Sequence, residues 1–251
     1  MKAIITGTTG QKEIDFSTPI GIHLSLQDNQ TLGAWYVDPP SIKPHREGNF
    51  IGSIEAGASV NFNDISFNPH AHGTHTECVG HILAGDYQVL NALKNNFFET
   101  LLITVAPVLV KGDLQITKDQ LIVAIGNNQV PESLVVRTLP NTTSKAFHQY
   151  SYSNPPYLSQ GAAIFIRELG VQHLLVDLPS IDKEEDQGAL EAHKAFWNVD
   201  GNIRTEATIT EFIFVPDTVL DGSYLLQIGL APFVNDAAPS TVYLYEFKNL
   251  L

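Results

Sequence analysis

Hydrophobic residues follow two patterns along the chain, and the first, short apolar runs, is typical of strands. The apolar run "LLITVAPVLV" (Leu101 to Val110) predicts a buried strand, with Pro107 as an interruption or edge position. "SLVVRTL" and "VQHLLVDLP" predict two further strands. Near the C-terminus, "TEFIFVP", "SYLLQIGLAPFV" and "TVYLYEF" are separated by turn pairs such as Asp221-Gly222 and Asn235-Asp236, so strands dominate this end.

The second period is helical and lies between these strands. In "TKDQLIVAIG", Thr117 and Gln120 have the spacing of a capping box, and Gly126 is a plausible stop. "LSQGAAIFIRELG" predicts an amphipathic helix that ends at Gly170, and "QGALEAHKAFW" a shorter one. The apolar face of the first is formed by Leu158, Ala162, Phe165, Ile166 and Leu169. Helices and strands alternate only in the middle, which indicates a mixed α and β domain and not a simple Rossmann order.

Composition and charge narrow the class of protein. The chain has 251 residues, of which 43% are hydrophobic and 16% charged, so a folded globular protein is expected. The net charge of -13 argues against nucleic acid as a partner. Cys78 is the single cysteine, which excludes an intrachain disulfide and fits a reducing compartment. The apolar run in the N-terminal segment "MKAIITGTTGQ" is too short for a secretory signal. No stretch approaches the about 18 apolar residues of a membrane span, so we expect a cytoplasmic protein without one.

A cluster of metal-binding residue types occupies "NPHAHGTHTECVGHI", from Asn68 to Ile82. If this segment is extended, His75 and Glu77 point to the same face. If the chain becomes helical after Cys78, His81 joins the face of Glu77. Because imidazole is the main donor, such a set favours zinc, manganese or iron over magnesium or calcium. Surface histidines without a function are the alternative, but polar groups of this kind are costly to bury without a purpose.

The same stretch resembles the signature HxGTHxDxPxH of the metal-dependent cyclase family, which includes bacterial kynurenine formamidases and isatin hydrolases. The positions in register are Gly73, Thr74, His75 and His81. Glu77 takes the place of the aspartate, and Val79 stands where the family has proline. The first histidine of the signature falls on Ala71, with His70 and His72 on either side. We prefer His70, which ends the preceding "NPH" segment, and keep His72 as the alternative.

The resemblance extends over most of the chain. "IDFSTPI" is similar to the "DLSxPI" opening of these enzymes, and "ELGVQHLLVDLPSID" to their "xxGVxxIGIDTPSxD" segment. "ALEAHKAF" supplies His193 where the family has its later metal histidine. For the following glutamate we choose Glu211 over Glu206, because alternation in "TEFIFVP" places Glu211 opposite Phe212 and Phe214, on the face of Ile213.

The resemblance implies a fold, a metal and a reaction. The fold is an α+β, swivelling β/β/α single domain with a mixed sheet, spanning 1–251 and assembling as a homodimer or larger homo-oligomer. The cofactor is zinc or manganese, one or two ions. The implied ligands are His70, His75, Glu77, His193 and Glu211. A metal with an open coordination position lowers the pKa of its bound water to about 7, and the resulting nucleophile attacks a linear amide or lactam carbonyl.

In that reaction the resemblance gives His81 the role of proton transfer, outside the metal shell. The implied activity is that of an arylformamidase (kynurenine formamidase) acting on a small-molecule amide, with a place in tryptophan catabolism. Cys78, beside a carboxylate, is interpreted as a packing residue and not a nucleophile.

Two other classes of protein compete with this hypothesis. "HAHGTHTE" fits a cupin-like pattern, His-x-His with a later glutamate, but the predicted helix "LSQGAAIFIRELG" and the lack of a second cupin motif argue against it. A metal-binding family member without catalysis is the other, because the first histidine is shifted and glutamate replaces aspartate.

Overall fold

The computed structural model describes residues 1–7 and 10–248. The strands are β1 (Lys2–Gly7), β2 (Gly10–Asp15), β3 (Ile20–Gly21), β4 (Ser41–Pro44), β5 (Arg46–Glu47), β6 (Phe50–Ile51), β7 (Asn63–Ser66), β8 (His75–Glu77), β9 (Phe97–Val105), β10 (Val108–Val110), β11 (Asp113–Ile116), β12 (Ser133–Thr138), β13 (Tyr157–Leu158), β14 (His173–Val176), β15 (Thr208–Glu211), β16 (Gly222–Leu230) and β17 (Ala237–Glu246). The helices are α1 (Pro69–His72), α2 (Val89–Ala92), α3 (Lys118–Ile125), α4 (Gln160–Glu168) and α5 (Glu191–Trp197), with 3₁₀ turns at Val79–His81 and Thr143–Phe147.

The main sheet closes on itself as a seven-stranded barrel. Its strands follow the order β16-β9-β12-β14-β15-β8-β17, and β17 pairs back onto β16, while β3 adds to the outside of β17. Strands β9, β12, β14 and β15 are parallel to one another, whereas β8, β16 and β17 are antiparallel to their neighbours. The barrel is therefore mixed, and with its helices it is the α+β fold that the sequence predicted.

Two hydrophobic cores lie on the two faces of this barrel. Alternate residues of β12 illustrate the division: Leu134 and Val136 pack with helices α3, α4 and α5, whereas Val135 packs with β16 and β17. Because both faces are covered, all six residues of β12 are buried. A parallel strand with two covered faces carries apolar residues at successive positions, as Leu134, Val135 and Val136 do in β12.

Most of the helix predictions are confirmed. The Thr117 side chain accepts from the Gln120 backbone amide and the Gln120 side chain reaches back to Thr117, so α3 has its capping box. Helix α4 begins after Ser159 and buries Ala162, Ala163 and Ile166. Pro107 separates β9 from β10 as expected. None of the helices in the described part of the chain is long and apolar enough to cross a membrane.

One strand prediction is wrong in its extent. The segment "TEFIFVP" does not continue as a strand beyond Glu211, because Phe212 adopts a left-handed backbone with φ 55°. The alternation expected across Phe212 and Phe214 is therefore broken. Phe212 packs with Leu32 and Tyr150, while Ile213 turns into the other core of the barrel and does not share the surroundings of Glu211.

Candidate metal centre

The short strand β8 forms the middle of the candidate site. It lies between β15 and β17, with His75 opposite Glu211 and Glu77 opposite Ile209. His75 and Glu77 are two residues apart on one strand and project to the same side, as the spacing predicted. Both residues are fully buried. The antiparallel register therefore explains why the carboxylate of Glu211 lies beside the imidazole of His75.

The threonine of the signature fixes the start of β8. The hydroxyl of Thr74 donates to the carbonyl of Phe212 at 2.5 Å and accepts from the amide of Leu24 at 2.8 Å. Thr74 thereby ties β8 to the left-handed corner where β15 ends. In the described structure Thr74 holds the backbone of β8 in place, next to the buried side chains of His75 and Glu77.

Helix α1 brings His70 to Glu77. Asn68 caps this single turn by accepting from the His70 amide, and Pro69 occupies the first helical position, where the missing amide hydrogen is tolerated. The Nδ1 atom of His70 lies 3.1 Å from Oε2 of Glu77. His72 points elsewhere: its Nδ1 accepts from the Asn68 amide at 2.9 Å, and it belongs to no candidate metal group among the described residues.

His81 follows from the turn after β8. The 3₁₀ turn Val79–His81 returns the chain so that Nδ1 of His81 is 3.8 Å from Oε2 of Glu77. Gly80 permits this turn, since a Cβ atom there would lie 2.5 Å from the carbonyl oxygen of Tyr87. The His81 side chain is 31% exposed, whereas that of Glu77 is fully buried. His81 therefore lies on the open side of the cluster.

His193 enters from α5, more than a hundred residues away in sequence. Its Nε2 is 3.1 Å from Oε1 of Glu77 and 3.8 Å from Oε1 of Glu211. Its Nδ1 donates to Asp182 at 2.6 Å, and the same carboxylate accepts the backbone amides of Ala192 and His193. Asp182 thus caps α5 and fixes the ring of His193. The sequence indicated Asp182 only as part of the family pattern, without a role.

Of the two candidate glutamates, the structure brings Glu211 into the cluster. Oε2 of Glu211 is 3.5 Å from Nε2 of His75, and its Oε1 accepts from the amide of Ile181 at 2.9 Å. Glu206 lies on the surface, where it pairs with Lys94. The side chain of Glu206 is 61% exposed.

Asp236 is a member of the cluster that sequence reasoning missed. It precedes β17, and its Oδ2 lies 2.9 Å from Nε2 of His70 and 3.6 Å from Nδ1 of His81. The sequence indicated Asn235-Asp236 only as a turn. No local pattern connects this position to a histidine 166 residues earlier.

The donor set fits a cation. The Nδ1 atom of His75 faces the carbonyl of Gly73 at 3.1 Å, and since a carbonyl only accepts, Nδ1 carries the proton and Nε2 presents a lone pair. This Nε2 atom and Oε2 of Glu77 are buried and make no hydrogen bond of good geometry; the nearest partner of Oε2 is Nδ1 of His70, 3.1 Å away in an ion pair. Ligand atoms of His75, Glu77 and Glu211 lie within 4.8 Å of one another, as do those of His70, Glu77 and His81. Buried imidazole and carboxylate groups that converge in this way are what a positive ion would satisfy.

The charges of the cluster support one another. Burial alone lowers the pKa of His70, but its hydrogen bond to Asp236 and its contact with Glu77 raise that pKa to about 10. For His193, burial is likewise outweighed by Asp182 and Glu77, and the pKa rises to about 10. Burial raises the pKa of Glu77, yet the charge of His81 and the contacts with His193 and His70 hold it well below its usual value. Positive charge therefore stabilises the buried carboxylates. Protons on His70 and His193 supply that charge here, and a bound metal would replace them.

A cavity of about 380 Å³ opens beside the cluster. It is lined by Trp35, Asn68, His70, His81, Ser180, Asp182, Lys183, Glu184, Asp186, Leu190, His193 and Glu211. The indole nitrogen of Trp35 donates to the carbonyl of His70 at 3.1 Å, so the aromatic wall is tied to a residue of the cluster. Cys78 is buried, and burial raises the pKa of its thiol to about 11, which agrees with a packing role.

Three solved structures illustrate the likeness of the fold. A protein described as a potential metal-dependent hydrolase with cyclase activity is 17% identical, with a TM-score of 0.63 over 92% of this chain and 99% of its own. An isatin hydrolase bound to the product analogue thioisatinate is 11% identical, with a TM-score of 0.68 over 92% of both chains. Isatin hydrolase A from Labrenzia aggregata is 12% identical, with a TM-score of 0.66 over 92% of this chain and 94% of its own.

At these identities the structures support the fold alone, and no curated protein matches the sequence significantly. The family model described as "Putative cyclase" matches residues 14–183, which is more than half of the chain. The match includes the whole segment from Asn68 to Ile82 and ends just beyond Asp182. The resemblance seen in the sequence is confirmed, and the chain belongs to this cyclase family.

Proposed function

We propose that the protein is a metal-dependent hydrolase of a small linear or cyclic amide, with an arylformamidase-like activity. The observation that carries the proposal is the convergence of buried ligand atoms from His75, Glu77 and Glu211 within 4.8 Å of one another, with Nε2 of His75 making no hydrogen bond. Membership of the cyclase family and the described likeness to metal-dependent hydrolases support it.

The ligands we propose are His70, His75, Glu77, His193 and Glu211. A divalent ion held there, zinc or manganese, would supply a hydrolytic nucleophile near neutral pH and polarise the carbonyl of the substrate. The set includes three imidazoles and two carboxylates. Such a mixture of nitrogen and oxygen ligands favours these ions over magnesium or calcium, which prefer oxygen ligands. Ligand atoms converge in two groups that share Glu77, so one or two ions would fit the arrangement. One group also contains His81, which we assign to proton transfer and not to the metal.

His81 is the proposed proton-transfer residue. Its Nδ1 faces the carboxylates of Asp236 and Glu77, which leaves Nε2 as the nitrogen available to the substrate. From the open side of the cluster, His81 would accept the proton of the attacking water and return it to the leaving nitrogen. The partly exposed ring and its place on the cavity wall support this role.

The amide class follows from this arrangement together with the family. A leaving amine needs a proton before the C–N bond breaks, and His81 stands beside both the metal ligands and the cavity. We further propose that residues 1–251 form one domain and that the protein assembles as a homodimer.

The direct test combines metal analysis with turnover. Protein purified after growth in medium supplemented with zinc and manganese should contain a transition metal, and a chelator should abolish its hydrolysis of N-formyl arylamines or aryl lactams. Elemental analysis that finds no transition metal would overturn the proposal. If the metal-loaded protein hydrolyses no formamide, lactam or ester, it binds metal without this catalysis, and the proposed enzymatic activity is wrong.

Glu211 and Glu206 provide a matched pair of variants. Glu211→Gln should lose metal, because it removes a carboxylate that faces His75 and His193 inside the cluster. Glu206→Gln makes the same chemical change on the surface and should keep the metal content of the wild type. If the two variants behave the other way round, the proposed ligand set is wrong.

A further inference from the structure

We propose that Asp236 is the positioning residue that holds His70 for metal binding through Nδ1. This inference rests on the proposed metal site and adds a residue from outside it. Asp236 lies beyond the stretch matched by the family model. It reaches the site from the turn before β17, on the opposite side of His70 from Glu77.

The geometry of His70 divides its two nitrogens between two tasks. Nδ1 lies 3.1 Å from Oε2 of Glu77, at the centre of the cluster, while Nε2 lies 2.9 Å from Oδ2 of Asp236. Without a metal both nitrogens of the charged ring face carboxylates, and a bound cation would displace the proton on Nδ1. A carboxylate accepts and cannot donate, so the proton that stays on the ring belongs on Nε2, beside Asp236. Nδ1 is then left with its lone pair toward Glu77 and any cation bound there.

Asp182 performs the same task for His193, with the nitrogens exchanged. Asp182 accepts from Nδ1 of His193 at 2.6 Å, which turns Nε2 toward Glu77. A metal-binding histidine commonly donates its second N–H to a carboxylate, which fixes the tautomer and the ring orientation. The site therefore has two carboxylate–histidine pairs that approach Glu77 from two remote segments, one through Nδ1 and one through Nε2.

Asp236 is held firmly enough for this role. Its backbone carbonyl accepts from the amide of Cys78 at 3.0 Å, directly after β8. The next residue, Ala237, pairs with Glu77 in the register of β17 against β8. The backbone that carries Asp236 is thus fixed to the strand that carries Glu77, and the distance across His70 is set by strand pairing.

The shift of the first histidine gives Asp236 a particular importance in this chain. His70 lies on a single helical turn and not on β8, so its ring orientation is not fixed by strand alternation. Asn68 holds the backbone of His70, and Asp236 holds its ring.

The test is the zinc dissociation constant of chelator-stripped protein, measured by competition with a chromophoric chelator. Asp236→Ala should weaken zinc binding on the order of 10–100-fold, the usual effect of losing a supporting residue. Asp236→Asn keeps an oxygen that can accept from Nε2 of His70 and should weaken binding much less. Glu206→Gln is the control for loss of a carboxylate and should bind like the wild type.

A double-mutant cycle tests whether Asp236 acts through His70. His70→Ala and His70→Ala combined with Asp236→Ala should have equal zinc affinity, because Asp236 has nothing left to orient. Circular dichroism checks that each variant is folded. If Asp236→Ala does not fold, Asp236→Ser replaces it in the same cycle, since the short hydroxyl cannot reach Nε2.

Each outcome separates this inference from the proposed function. A wild type that binds no zinc overturns both. A wild type that binds zinc, with Asp236→Ala unchanged, overturns the positioning role alone. If Asp236→Asn loses as much affinity as Asp236→Ala, or if the two losses in the cycle add, the hydrogen bond to His70 is not the cause and the inference fails.

Discussion

The buried charged cluster around Asp177 and the one around Glu77 differ in how completely their polar atoms are paired. Asp177 accepts from the hydroxyl of Thr138 through Oδ1, and from the Thr138 amide and the Lys145 ammonium through Oδ2, at 2.8–2.9 Å. Lys145 also donates to the carbonyl and hydroxyl oxygens of Thr138. The closed set connects the ends of the parallel strands β12 and β14 to the following 3₁₀ turn.

The cluster around Glu77 is open by comparison. Nε2 of His75 and Oε2 of Glu77 are buried and make no hydrogen bond of good geometry, and the contact of Oε2 with Nδ1 of His70 at 3.1 Å is an ion pair that needs an added proton. A buried acceptor without a partner costs free energy, and a protein rarely retains two of them side by side without a ligand. Both clusters are buried and charged, so burial does not distinguish them. The difference in pairing is what separates a stabilising ion pair from a binding site.

The largest effect should follow from Glu77→Gln, which removes the negative charge at the centre of the open cluster. Glu77 contacts His70, His81 and His193, so its loss should reduce metal affinity by more than the about 10–100-fold typical of a supporting residue, and turnover should disappear. Equilibrium dialysis with zinc measures the first and an amide hydrolysis assay the second. A Glu77→Gln protein that still binds metal like the wild type would break the comparison.

His81→Ala should divide binding from chemistry. His81 is partly exposed and lies on the cavity side, so metal content should stay near that of the wild type. Turnover should fall on the order of 10²–10⁴-fold, the usual contribution of general acid–base catalysis. Elemental analysis and steady-state kinetics on one preparation check both halves. Loss of metal in this variant would place His81 among the ligands and contradict the assignment.

Asp177→Asn should do the reverse and affect stability without affecting metal. The variant leaves Lys145, whose side chain is 15% exposed, without its charged partner, and breaking a buried pair costs on the order of 3 kcal/mol. Chemical denaturation of chelator-treated protein measures this loss of unfolding free energy, and dialysis should show unchanged zinc binding. Weaker zinc binding in folded Asp177→Asn would mean that the two clusters are not independent.

A buried histidine outside both clusters should give the smallest effect, through pH. Burial, aided by the nearby charge of Arg204, lowers the pKa of His173 to about 4, so the ring is neutral in the folded protein. The unfolded chain takes up the proton below its ordinary pKa of 6.5, so this stability is present above pH 6.5 and is lost as the pH falls toward 4.

We expect His173 to make chelator-treated protein about 2 kcal/mol less stable at pH 5 than at pH 7. His173→Asn keeps a polar atom near Thr208 and should remove this slope. Urea denaturation at both pH values provides the measurement. Equal slopes for wild type and variant would show that His173 is not the group responsible.

The spacing of residues predicted the local half of the candidate site, the family resemblance supplied His193 and Glu211, and Asp236 was missed. Alternation in "HTE" and the turn after Cys78 place His75, Glu77 and His81 correctly, because neighbours in sequence obey simple periods. His193 was reached through the family resemblance. Glu211 was chosen over Glu206 by an alternation argument that does not hold beyond Glu211, where Phe212 turns left-handed. Asp236 had no local signal, since its partner is set by how β17 pairs with β8.

The same limit explains the error in "TEFIFVP". The alternation argument assumed an extended backbone, but Phe212 has a left-handed backbone. Its carbonyl accepts a hydrogen bond from the hydroxyl of Thr74, which lies in a distant segment of the chain. Barrel closure between β16 and β17 was also beyond a local reading, although both strands were predicted individually. Capping in α3, by contrast, depends on residues three apart and was predicted in full.

The position of β8 has a consequence for the order of folding. This three-residue strand pairs with β15 on one side and β17 on the other, so it forms the seam between two distant parts of the chain. Contacts of such long sequence separation form slowly, because loop closure costs entropy before the pairing is gained. The proposed metal ligands His75 and Glu211 meet only when that seam is closed. If they bind zinc as proposed, zinc uptake during refolding should lag behind the formation of secondary structure and report when the barrel closes.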